Sequence, residues 1–143
     1  MSDIEMLLVD AFRKIATGRG HCPHLARAFG RLARCEGADL VRVTAILLSA
    51  IDNGCRRTVI IGMPGAEECT LSELQMLAIV AAAQKSDHAL LDAHLTWMVH
   101  PSHRKPVAVA ARLLSGLLLK SGLKVSVPSF GLAQPSAMLS VVA

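Results

Sequence analysis

The chain has 143 residues, a formal charge of +4 and a pI near 9.2, with 52% apolar and 18% charged side chains. That length predicts one domain, able to bury about 68–70% of its unfolded surface without a disulfide or a metal. Three Phe and one Trp are the whole aromatic set, too few to build the stacking platforms of a single-strand nucleic-acid binder.

Ser2 and Glu5 stand at capping-box spacing and predict a helix over residues 3–16. Ile4, Leu7, Leu8, Ala11, Phe12 and Ile15 recur at helical spacing and form its core face, leaving Glu5, Asp10, Arg13 and Lys14 away from it. Gly18 or Gly20 ends it. Pro23 suits a first helical position, where its missing N–H is not needed. The helix it opens runs to about residue 35, with Leu25, Phe29 and Leu32 inward and His24, Arg27, Arg31 and Arg34 in a basic stripe opposite. A third helix, residues 38–53, is dominated by Leu40, Val41, Val43, Ile46, Leu47, Ala50 and Ile51, and Asn53-Gly54 stops it.

Residues 58–61 (Thr-Val-Ile-Ile) are the best strand candidate, and residues 124–127 are a second one that would pair with it. Met63-Pro64-Gly65 reads as a turn. Residues 70–84 then form the helix the rest is organised around. Thr70 and Glu73 make a second capping box, and no charge follows until Lys85. A helix apolar on all sides is buried by several neighbours, and the third helix is its expected packing partner. Asp87 caps a helix over residues 88–99, which Pro101 stops. Residues 100–106 form a polar, basic loop, and Pro106 starts a last helix over residues 107–120, closed by Ser121-Gly122. No charged residue follows Lys124, and Pro128, Gly131 and Pro135 interrupt the rest. The expected organisation is a helical domain over residues 1–124 and an apolar C-terminal tail over 125–143, extended or partly disordered. The fold class is all-α: an irregular single-domain bundle of about six helices, with at most one short two-stranded β ribbon.

No stretch reaches the roughly 20 uncharged apolar residues of a membrane span. The acidic opening Ser2-Asp3-Ile4-Glu5 is unlike the basic start of a secretory signal, and four scattered cysteines fit reduced thiols, so the expected location is cytoplasmic. The apolar surplus points to a subunit interface, and hence to a homodimer.

Three constellations can carry chemistry. His24, Arg27, Arg31 and Arg34 can hold phosphates or carboxylates bidentately, and the plainer reading is a solvated helix face. His21, Cys22, His24 and Cys35 are metal-competent, yet a structural zinc site shows two tight ligand pairs, and lone cysteines are usually small buried hydrophobes. His88 and Asp92, four apart, suit an acid/base pair, although the same spacing is an ordinary surface pair. Glu67 and Glu68 would repel an anion from the glycine turn at Gly62 and Gly65. No nucleophile motif or phosphate-binding glycine loop is present. The leading expectation is a non-enzymatic interaction or regulatory module, self-associating through apolar helix faces and needing no cofactor. The alternatives are a small nucleic-acid-binding regulator using the arginine stripe, and a metal-binding or hydrolytic protein using the His/Cys/Asp set.

Overall fold

A computed structural model describes residues 1–19, 23–33 and 37–126. It is an all-α bundle of six helices: α1 (Asp3–Ala16), α2 (Pro23–Leu32), α3 (Gly37–Gly54), α4 (Leu71–Gln84), α5 (His88–Met98) and α6 (Arg104–Lys120). A 3-10 turn, Pro101–His103, precedes α6. No helix among the described residues is long and apolar enough to cross a membrane.

Local chemistry fixes the ends. Both capping boxes form: the Ser2 hydroxyl accepts from Glu5 N and the Thr70 hydroxyl from Glu73 N, and each glutamate accepts in return from the N–H of its cap residue. The Asp87 carboxylate accepts from Leu90 N and opens α5. α1 ends in a Schellman motif, with Gly18 at φ +80° and Arg19 N donating to Lys14 O. α6 ends the same way at Gly122, φ +76°. α4 ends so as well, but the left-handed position is held by Ser86 at φ +56°. α6 starts at Arg104, three residues before the expected start. Pro106 does not set the boundary, because it sits in the first turn, where no N–H has an intrahelical acceptor.

α4 is buried as its sequence requires: every residue from Met76 to Ala83 is buried. Its expected partner is not α3. α6 lies between them, packing on α3, α4 and α5, while α1 also bridges α3 and α4. α2 packs on α3, where Gly37 allows the two backbones to close; a Cβ there would stand 1.8 Å from the Ala26 carbonyl oxygen.

Among the described residues there is no sheet, only an isolated antiparallel bridge between Cys55 and Val99. The β ribbon the sequence allowed does not form among the described residues, where side chains satisfy the extended segments. Ile60 N donates to Ser72 Oγ, and Thr70 Oγ1 donates to Ile60 O. Val125 N donates to Gln84 Oε1 and Ser126 N to Glu5 Oε2. Val125 is buried.

Two residues expected on the outer face of α1, Glu5 and Arg13, are inside, and Arg13 meets Glu73 of α4. Arg13 is 5% exposed and Glu73 fully buried. Arg13 donates from Nε (2.8 Å) and Nη2 (3.0 Å) to the two Glu73 oxygens, and also to the carbonyls of Ala66 and Glu68. Glu73 further accepts from Gly62 N and Thr70 N. The pair pins the whole 62–70 loop across α1 and α4, which is why a cation leaves the surface. Glu5, also buried, plays the smaller equivalent role for Ser126.

Candidate interaction face and cleft on the last helix

The outer side of α6 departs from an ordinary solvated face. Val107, Ala108, Ala110, Ala111, Leu114, Ser115 and Leu118 are turned into the bundle. That leaves Val109 (56% exposed), Leu113 (49%) and Leu119 (49%) outside, together with exposed Lys105, Arg112, Gly116 and Lys120. Val109, Leu113 and Gly116 follow one another at helical spacing along one line. The chain has no Asp or Glu after Asp92, so this face combines apolar and cationic groups with no acid of its own.

Beside it, where the C-terminal end of α4 meets the start of α5 and the middle of α6, lies a half-open cleft of about 300 Å³. Its depth comes from small residues at the crossing, Ala82, Ala83 and Gly116, with Leu91 and Leu119 as larger apolar walls. Arg112 and His88 stand at its rim, Arg112 Nη2 lying 3.5 Å from His88 Nδ1. No ion pair of Arg112 with a carboxylate occurs among the described residues.

The residues picked out from the sequence are dispersed. His24, Arg27 and Arg31 are exposed on one side of α2. Arg31 lines a shallow groove with Met6 and Leu32. Arg34, His21, Cys22 and Cys35 lie outside the described residues. Among the described residues no three His, Cys, Asp or Glu side chains come together to hold a metal. His88 and Asp92 are both exposed, and the polar contact of the His88 ring is with Arg112, a residue sequence spacing does not connect to it.

The remaining titratable groups favour structure over chemistry. Burial pushes the Cys69 thiol up, and the Glu73 charge adds to that, so it is a protonated, weak nucleophile at neutral pH. Burial pushes His94 down; its Nδ1 lies 3.0 Å from Gln75 Nε2 and accepts from that amide as a neutral ring. Arg56 and Arg57 cap the last carbonyls of α5, donating to Thr96 O and Trp97 O, and Arg57 also lies 3.6 Å above the Trp97 ring. The arginine that matters most to the fold, Arg13, carries one sequence signal: Glu73 is the sole charge in α4 and needs a buried partner.

Fold and surface together define an irregular helical bundle that presents one apolar, cationic helix face with a small cleft beside it. No family model, curated protein or solved structure matches this chain.

Proposed function

We propose that the chain is a non-enzymatic interaction module that pairs with a second copy through the outer face of α6. The observation that carries this reading is the exposed row of Val109 and Leu113 on the helix that otherwise joins α3, α4 and α5. Contiguous apolar groups on a folded surface favour burial by a partner. Lys105, Arg112 and Lys120 surround the row with like charge, so pairing is driven by apolar burial against repulsion, and added salt strengthens it by screening.

Sedimentation or light scattering at several salt concentrations tests the proposal. A dimer that tightens with salt and is lost in Leu113→Glu, with the helical circular dichroism unchanged, supports it. A strict monomer at about 100 μM protein with a Debye length near 3–4 Å refutes it.

A second reading has its own observation. His24, Arg27 and Arg31 share an exposed side of α2, and none forms an ion pair among the described residues. A nucleic acid held there would be released by salt, the opposite response to that of the α6 pairing.

A further inference from the structure

We propose that the cleft between α4, α5 and α6 binds a small apolar monocarboxylate, its chain laid against Ala82, Ala83, Leu91 and Leu119 and its carboxylate on Arg112 and His88.

Shape supplies the first part of the argument. The cleft of about 300 Å³ is at the small end of ligand sites and is enough for an aliphatic chain. It exists because three small side chains meet where larger ones would have closed the packing. Its walls are mostly apolar, so a ligand must bring apolar surface to displace its water.

Charge supplies the second. Arg112 is a guanidinium at the rim with no carboxylate ion pair among the described residues. Its side-chain polar contact among the described residues is the 3.5 Å approach to His88 Nδ1. An anion between the two would accept from both, and a carboxylate matches the planar guanidinium with two parallel hydrogen bonds. The same geometry selects against a phosphate dianion. The start of α5 has already given its Leu90 N–H to the Asp87 carboxylate, so that backbone donor adds nothing to the anion site. A single guanidinium and one imidazole then suit a single negative charge.

Octanoate is the probe, titrated into the full chain by calorimetry and by amide chemical shifts. One saturable site with a Kd of about 0.1–1 mM is expected for a ligand of this size. Octanol, which lacks the charge, and butyrate, which lacks the chain, should each bind at least about 10-fold more weakly, by the loss of one well-made contact set. Arg112→Gln should weaken octanoate by a similar factor without lowering the melting temperature, since Arg112 is exposed and makes no ion pair among the described residues. Gly116→Leu should abolish binding by filling the cleft. A Cβ at Gly116 meets nothing within 4 Å, so that variant is expected to fold, and its melting curve confirms it. No saturation by 10-fold above the expected Kd range, equal binding of octanol and octanoate, or undiminished binding in folded Gly116→Leu each overturns the proposal.

Discussion

Changing Glu73→Gln isolates the charge of the buried pair while keeping the side-chain shape. In the native protein each carboxylate oxygen accepts two bonds: Oε1 from Arg13 Nη2 and Thr70 N, Oε2 from Arg13 Nε and Gly62 N. An amide supplies one accepting oxygen. Either orientation therefore turns an NH₂ group toward one Arg13 nitrogen and one backbone N–H, and leaves the guanidinium, 5% exposed, without its counter-charge. Breaking one side of a buried pair costs about 3–5 kcal/mol, and an orphaned backbone N–H adds to that. For a domain of this size the melting temperature should fall by about 10–15 °C. Urea titration followed by circular dichroism and by the fluorescence of Trp97, the sole tryptophan, measures the loss, with the slope m held constant as the check on two-state behaviour. Arg13→Met/Glu73→Leu should recover much of the loss, because an apolar pair carries no desolvation penalty. The pH profile gives a second reading. Burial alone would raise the Glu73 carboxyl, but Arg13, Thr70 N–H and Gly62 N–H outweigh it and hold it below the ordinary value of 4.5. A lowered folded-state pKa means stability that is fully present above the unfolded value and is lost as pH falls through the folded one. Wild type should therefore lose stability below about pH 4.5, and the curve of Glu73→Gln should be flatter there. A Glu73→Gln protein within about 1 kcal/mol of wild type at neutral pH would mean that the pair does not hold the 62–70 loop.

Ser86 occupies a left-handed position, φ +56°, that glycine adopts without strain; Ser86→Gly should raise stability by about 1 kcal/mol, read as a higher urea midpoint. Gly37→Ala places a methyl group 1.8 Å from the Ala26 carbonyl oxygen, a backbone atom that cannot rotate away. It should cost about 3 kcal/mol by forcing α2 from α3, and a thermal melt that stays unchanged would contradict the close crossing.

The helices were legible in the sequence because their signals are local. Capping boxes at Ser2/Glu5 and Thr70/Glu73, the Asp87 cap and the stops at Gly18 and Gly122 depend on neighbours within one turn, and all of them form. Residues 58–61 misled because β-branched composition reports extended backbone rather than a partner strand. The segment is extended, and Ser72 and Thr70 take the place of the ladder. Arg13 misled for the opposite reason. Helical spacing put it on the outer side of α1, and only the fold brings Glu73, 60 residues away, beneath it. The cleft is still less legible, since it requires Ala82, Gly116, His88 and Arg112 on three helices to converge.

The surplus of apolar side chains has two destinations in this fold, α4 and the outer side of α6. α4 is apolar on every side, and the monomer already covers it: Ala82, a natural place to suspect an interface, is 2% exposed. An arginine at Ala82 would therefore put a charge into a packed core and unfold the protein, whatever its oligomeric state. α6 has one face in the core, and its remaining apolar groups, Val109, Leu113 and Leu119, stay outside beside three cations. Among the described residues nothing buries them, since α3, α4 and α5 occupy the opposite side of the helix. The proposed pairing is therefore tested on α6, and the substitution that reports on association without disturbing the core is at Leu113, 49% exposed.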